Sequence, residues 1–363
     1  GQACDVPIVL PVAGDIAAGD QRELTVPPGH AYRIMTGAPL PARADVIVPV
    51  ELTDGGSERV QIRATDGLGR HIRRAGEDVE TGDIVLRAGT RLGPRQLALV
   101  AAVGHGEVSV HPRPRVVCLS TGDELVAPGT VPGFGEVVDS NSLMLVAALR
   151  EAGCEAHLVS GVRDTEEAVM VAMTEQLDHA DALVTTGGVS MGVYDAVKAA
   201  LSQLGTVQFD QVAMQPGKPQ GFGTLGERRV PVFTLPGNPV SALVSFEVFV
   251  APALRLMAGR PVAAGGALWA RVLDGWPSPT GKVQFVRGVV EFGKPEGPGR
   301  TGPGRTDSPD ATATVRSAGG QGSHVLHALS AANALVLVPA DVEEVVAGDV
   351  LECRPLGAGW ERS

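Results

Sequence analysis

Three acidic positions and one glycine turn are the residues of this sequence best suited to do chemistry. Gly187 and Gly188 follow the β-branched pair Thr185 and Thr186, and Ser190, Gly192 and Asp195 come next, ahead of a helical run. In a strand, tight turn and helix start of this kind, glycines let the backbone approach a ligand closely. The free N–H groups of the helix start suit an anion. On this stretch alone an ordinary tight βα turn is the favoured reading. The acids Asp123 and Glu124, Asp164 and Asp195 each stand just after an apolar, strand-like run. Hard oxygen ligands of this kind suit Mg²⁺, above all when a ligand phosphate completes the shell. The plain alternative is that each acid caps the helix behind it. Lys218, in Pro216-Gly217-Lys218-Pro219, is a compact cation on a stiff turn, either solvated or set for phosphate. Gly322-Ser323-His324 reads as a polar turn or as an oxyanion contact.

The elements that must position these residues alternate. Residues 115–120, 157–161, 182–186, 207–212 and 230–235 read as strands. Residues 139–153, 165–177, 194–204 and 239–257 read as helices. Such alternation predicts a parallel sheet covered on both faces, with ligands at the carboxyl ends of its strands. Asp123, Glu124, Asp164, Gly187, Gly188 and Pro236 should then share one edge. Residues 1 to about 90 form short β-branched runs (8–12, 46–50, 59–63) between Gly and Pro, which predicts a small β module. It holds two polar clusters, at 33–39 and 72–78. Residues 92–103 predict a helix with Pro94 in its first turn. After residue 260 the pattern is β-like again, with strands at 283–292, 323–326, 335–338 and 350–353. The Gly/Pro/Thr/Asp-rich residues 293–311 read as a mobile loop. Residues 221–226 match G-x-G-x-x-G, but a strand follows where a dinucleotide site needs a helix, so they read as a hairpin.

The 30 basic and 41 acidic residues give a net charge of −11, which argues against nucleic acid as a partner. Cys4, Cys118, Cys154 and Cys353 form no C-x-x-C pair, so neither a zinc site nor a disulfide framework is expected, and reducing cytoplasm is the simplest setting. The most apolar stretch, residues 241–257, carries Glu247 and Arg255, which makes it a poor membrane span. No secretory segment is visible, and Gly1 in place of methionine implies processing or trimming.

Eight ordered motifs together resemble the molybdopterin molybdotransferase family and the E domain of gephyrin. They are RIMTGAP at 33–39, RRAGED at 73–78, STGDEL at 120–125, TTGGVSMG at 185–192, PGKP at 216–219, LPGNPVSA at 235–242, VRG at 286–288 and QGSH at 321–324. The resemblance implies a multi-domain α/β plus β fold: an N-terminal β module (1–85), a helical linker part (86–112), a molybdopterin-binding α/β domain (113–262) and a C-terminal β-barrel-like domain (263–363). It implies Mg²⁺-dependent insertion of molybdenum from molybdate into adenylylated molybdopterin, with release of AMP. Glu124, Asp164, Asp195, Ser190, Pro236 and Pro239 would line the pterin nucleotide pocket with Gly187, Gly188 and Lys218, and the first three of these would hold the metal. Thr36 and Asp78 would enter a site shared within a homodimer from the second copy, Arg73 would bind substrate, and Asp78 would join Glu124, Asp164 and Asp195 as the catalytic acids. Arg287 and Ser323 would hold molybdate, since a tetrahedral oxyanion wants a guanidinium and neutral donors. The adenylyltransferase of the same pathway is an expected partner. A non-catalytic scaffold of the same fold and a molybdopterin adenylyltransferase are the competing expectations. The sequence departs from the family pattern in three places. The helical segment that normally precedes the first strand is missing. Gln211 and Gln215 stand where lysines are common. Val193 replaces an acid.

Overall fold

The computed structural model describes residues 2–189, 195–260, 267–293, 311 and 313–357. The chain divides into two compact units, Gly1–Gly106 and Glu107–Ser363. In the first, β1 (Gln2–Ile16) pairs in parallel with β2 (Ala31–Ile34) and antiparallel with β3 (Arg59–Thr65). Helix α1 (Pro94–Ala102) begins on its proline, whose missing N–H costs nothing at that position. Residues 46–50, expected as a strand, are not one. They run irregularly through Pro49 into a 3₁₀ turn at Val50–Leu52. A β-branched run becomes a strand only where a neighbour takes its backbone hydrogen bonds.

The second unit starts with β4 (Arg115–Thr121), the short β5 (Leu125–Val126) and β6 (Val137–Val138), α2 (Asn141–Glu151), β7 (Glu155–Val162), α3 (Glu166–Gln176), β8 (Ala182–Thr186) and α4 (Ala196–Gln203). Next come β9 (Val207–Gln211), β10 (Met214–Gln215), β11 (Pro219–Leu225) and β12 (Val230–Leu235). The sheet order is β7-β4-β8-β12-β11-β9. Strands β7, β4, β8 and β12 are mutually parallel, as expected. The sheet as a whole is mixed, because β11 and β12 form the hairpin read from residues 221–226 and β9 runs antiparallel to β11. Helices cover both faces, which is why the central strands are continuously apolar rather than alternating. On one face Val116, Cys118, Val184 and Leu235 pack with Leu145, Leu149, Phe246 and Leu254. On the other, Val117, Leu119, Leu183 and Val232 pack with Val169, Met173, Val197 and Leu201.

The long helix is three segments in one run: α5 (Pro239–Ser245), a π-helical turn at Phe246–Val250, and α6 (Ala251–Met257). Its 19 residues are long and apolar enough to cross a membrane, but half of the stretch is buried inside the fold, and burial against the sheet accounts for that composition.

The remaining strands are β13 (Leu268–Val272), β14 (Trp276–Pro277), β15 (Val283–Phe292), β16 (Ala313–Ser317), β17 (Ala334–Val338), β18 (Glu344–Val345) and β19 (Val350–Pro355). Strands β15, β16, β13, β19 and β17 close into a ring through the β15–β17 pairing, the barrel the sequence implied. Strand β10 pairs with β15 and ties the barrel to the α/β sheet. Residues 323–326, expected as a strand, instead form a turn that leads into α7 (Leu326–Ala331). Most of residues 293–311, read as a loop, lie outside the described residues, as does Ser190.

Candidate functional site at the strand ends

The parallel strands finish in step. Thr121 of β4 lies opposite Val162 of β7, Ser120 opposite Thr186 of β8, and Thr186 opposite Leu235 of β12. The residues just beyond them, including Glu124, Asp164, Gly187, Gly188 and Pro236, therefore share one edge, as the alternation predicted. The Gly187 N–H donates to Leu235 O at 3.0 Å. Gly188 has φ +74°, and a Cβ there would stand 2.5 Å from Val197 and 2.9 Å from Asp195 Oδ1. Only glycine fits this turn, and it brings backbone rather than side chain to the edge.

The acids gather at this edge. The Asp164 N–H donates to Asp123 Oδ1 at 3.3 Å. The Glu124 carboxylate folds back over Gly122, where a Cβ would meet Glu124 Oε2 at 2.8 Å. The carboxyl of Asp164 is raised above its ordinary range, first by partial desolvation and then by repulsion from Asp195, Glu124 and Asp123. A cation or a proton would relieve that repulsion. Asp195 also does structural work, since Oδ1 accepts from Lys198 N at 3.2 Å and caps α4. Among the described residues, no group of three His, Cys, Asp or Glu side chains forms a ready-made metal cage. The acids at the edge offer hard oxygen donors, the kind that suit a small divalent cation sharing its shell with ligand and water oxygens.

Asn141 holds the edge together, and sequence reasoning missed it. Its Nδ2 donates to Thr186 Oγ1 at 2.9 Å and to Gly237 O at 2.6 Å. It thereby joins the start of α2 to the ends of β8 and β12. Next to it, Asp139 accepts from Ser142 N at 3.0 Å and from Ser120 Oγ at 2.9 Å, fastening α2 to β4. The only local signal was Asp139-Ser140-Asn141 ahead of a helix, which reads as a cap.

The barrel reaches the same edge. The Val240 N–H donates to Ser323 O at 3.1 Å, seating residues 320–324 on the first turn after Pro236, Asn238 and Pro239. Arg287 on β15 lies beneath them and is fully buried. Its Nη2 donates to Gly320 O at 2.5 Å and to Gly322 O at 3.3 Å, and its own N–H donates to Gln321 Oε1 at 3.2 Å. The guanidinium Nε and Nη1 are buried without a hydrogen-bond partner, and burial lowers the Arg287 pKa from its ordinary value. Ser323 is half-buried and Lys218 exposed. Lys218 sits on a turn that opens with a cis Gln215–Pro216 peptide. The turn is pinned by Gln220, whose Nε2 donates to Gly217 O at 2.6 Å and to Ser245 Oγ at 2.5 Å.

Thr36, Arg73 and Asp78 belong to the first unit, and all three are exposed. There Arg73, Arg74, Asp78 and His105 help line a cavity of about 940 Å³.

Three family models match the chain: the MoeA N-terminal region (domain I and II) over residues 2–104, a probable molybdopterin binding domain over 117–256, and the MoeA C-terminal region (domain IV) over 292–356. Molybdopterin molybdenumtransferase 2 of Mycobacterium tuberculosis is 43% identical over 352 residues, which cover 95% of this chain and 82% of that protein. Molybdopterin molybdenumtransferase of Synechococcus elongatus is 39% identical over 288 residues, 78% of this chain and 70% of that protein. A crystal structure of the molybdopterin biosynthesis MoeA protein of Pyrococcus horikoshii superposes with a TM-score of 0.74 at 30% identity, covering 96% of this chain and 81% of that one. The chain belongs to the molybdopterin molybdenumtransferase family.

Proposed function

We propose that this chain is a transferase of molybdenum cofactor biosynthesis that inserts molybdenum from molybdate into adenylylated molybdopterin and releases AMP. One observation carries the reading. Hydrogen bonds join Asn141 to Thr186 and to Gly237, and three residues along the chain Val240 bonds to Ser323 O, whose neighbours Gly320 and Gly322 are held by Arg287. This sets an acidic glycine-turn edge, suited to a metal-bound phosphate, beside a buried arginine with two unpartnered guanidinium nitrogens.

In this reading Gly187, Gly188, Ser190, Pro236 and Pro239 bind the pterin nucleotide, and Lys218 attracts its phosphates. Glu124, Asp164 and Asp195 would hold Mg²⁺, which would offset the charge of phosphates brought against carboxylates. As AMP leaves, negative charge grows on phosphate oxygens, and backbone N–H groups at the glycine turn can meet it without reorganising. Arg287 and Ser323 hold molybdate. Arg287 is fully buried, so molybdate reaches its Nε and Nη1 only when the residues covering them move. Thr36 and Asp78 act on the site of a second copy in a homodimer, and Arg73 binds substrate. The boundaries 1–85, 86–112, 113–262 and 263–363 are the proposed division into domains. The proposed setting is reducing cytoplasm, which suits the free, buried Cys118, Cys154 and Cys353. Burial pushes the Cys118 and Cys353 thiols up to about 12, so both are inert.

The test is to incubate the full-length protein with adenylylated molybdopterin, Mg²⁺ and molybdate, and to assay AMP and active cofactor. AMP release that requires Mg²⁺, with cofactor formed in proportion, is the expected result. No AMP under any metal condition overturns the reading. Formation of adenylylated pterin from molybdopterin and ATP would point to the adenylyltransferase instead.

A further inference from the structure

Between β5 and β6 lies a ten-residue loop, 127–136, whose sequence APGTVPGFGE is rich in Pro and Gly. Gly129 and Gly135 have φ +92° and +84°, and among the described residues the hydrogen bonds inside the loop are local. Thr130 N donates to Ala127 O, Glu136 N to Gly133 O, and Gly133 N to Glu136 Oε2. Its two apolar side chains of any size face solvent, Val131 at 90% and Phe134 at 110% of full exposure. Phe134 is the most exposed large apolar side chain among the described residues. An apolar side chain this exposed is stabilised when a ligand or surface covers it.

The feet of the loop tell where it can reach. Strands β5 and β6 pair in parallel, Leu125 opposite Val137 and Val126 opposite Val138. The Val137 N–H donates to Glu124 O at 2.8 Å. In a parallel ladder the returning strand enters on the side where the first strand began. Glu136 therefore comes in abreast of Glu124, and Phe134, two residues earlier, comes in on the side of Gly122. Three residues separate Phe134 from Val137, a tether of at most about 11 Å. The other foot runs on through Asp139 into Asn141, which is already bonded to Thr186 and Gly237. Both feet thus stand on the strand-end edge, and Phe134 is tethered within about 11 Å of the foot bonded to Glu124 O.

We propose that Phe134 is a substrate-contact residue: the 127–136 loop folds onto the strand-end edge and lays the Phe134 ring on a flat bicyclic heterocycle of the bound adenylylated pterin. This rests on the function proposed above. The substrate offers two such ring systems, the adenine and the pterin, and either face can stack on an aromatic side chain. Val131 supplies apolar cover beside the ring, and the αL glycines supply the turns about which the loop bends.

Because Phe134 is fully exposed, its substitution leaves the fold intact. The full-length protein and its F134S, F134Y and F134W variants are titrated with AMP and with adenylylated molybdopterin, by calorimetry and by tryptophan fluorescence. The expected result for F134S is a dissociation constant about tenfold higher, with F134Y restoring most of the affinity. The expected result for F134W is a fluorescence change that the unsubstituted protein lacks, saturating with the calorimetric constant. A loss with both ligands assigns the ring to the adenine, and a loss confined to the adenylylated pterin assigns it to the pterin. Normal binding of both ligands by F134S with no fluorescence change in F134W overturns the cap alone. A change of oligomeric state in F134S with normal ligand binding also overturns it, in favour of a second copy as the occupant. Failure of the unsubstituted protein to bind either ligand overturns the functional reading and the cap together.

Discussion

Val240 donates its N–H to the carbonyl oxygen of Ser323 at 3.1 Å, so the barrel's polar loop rests on the helix that follows Pro236-Gly237-Asn238. The loop is held from below by Arg287, whose Nη2 grips Gly320 O and Gly322 O. R287M separates the loop support from the oxyanion contact proposed for Nε and Nη1. Methionine fills much of the volume and removes a buried charge that lacks an acidic partner, which offsets part of the cost of the two abandoned carbonyls. Stability should fall by no more than about 2 kcal/mol. The molybdate-dependent step should be lost far more completely. Thermal unfolding and the molybdate concentration dependence of cofactor formation are the measurements. An unchanged molybdate requirement in R287M would return Arg287 to loop support alone.

Asn141 is the second test. N141A removes both hydrogen bonds that join α2 to the ends of β8 and β12, for a loss of about 1–2 kcal/mol. AMP release should drop by at least about tenfold, because the strand ends would no longer be held in register around the substrate. In N141D the acceptor at Gly237 O faces a carboxylate, and a further negative charge joins an edge where Asp164 is already raised by its neighbours. N141D should therefore bind AMP more weakly than N141A. Equal AMP affinity in the two variants would place Asn141 outside the electrostatics of the site.

The parts of this architecture set by local pattern were legible in the sequence. Apolar runs alternating with capped helices gave the strand-end edge and with it Glu124, Asp164 and Asp195, because parallel βα units leave their loops on one side. What failed depended on distant partners. Residues 46–50 carry a strand's composition without a strand beside them. Residues 323–326 looked extended, yet Arg287, 33–35 residues away, holds the preceding loop and turns the chain into α7. Asn141 was invisible because its partners lie 45 and 96 residues on. The π turn at Phe246–Val250 left no periodic trace in a stretch apolar on every side.

That π turn carries a pH test. Glu247 is half-buried there, and its carboxyl is raised from 4.5 to about 7, chiefly by burial, against an opposing pull from Arg255 and with a lesser push from Glu151. A raised carboxyl binds its proton more tightly in the folded chain than in the unfolded one. The stability that Glu247 contributes should therefore be fully present below pH 4.5, fall as pH rises through about 7, and be lost above it. The fall should be at most about 3 kcal/mol. In E247Q that slope should disappear, leaving the variant more stable than the parent at pH 8 and equal to it at pH 4. Urea unfolding across this range is the measurement. Parallel stability profiles for E247Q and its parent would sink the argument.

Asp195 divides its carboxylate between two tasks, and one substitution tells them apart. Its Oδ1 caps α4 through Lys198 N at 3.2 Å, and its charge helps raise Asp164. D195N keeps the size and the acceptor oxygen, so the cap should survive with a loss well under the ~1 kcal/mol of a deleted cap. The charge does not survive, and a neutral amide is a poorer ligand for Mg²⁺. Near-normal thermal unfolding should therefore accompany strongly reduced AMP release, with the deficit growing as Mg²⁺ becomes limiting. D195A serves as the comparison, because it loses cap and charge together and should lose stability as well as activity. If D195N releases AMP normally at limiting Mg²⁺, the carboxylate acts only as a helix cap, and Glu124 and Asp164 would have to hold the ion without it.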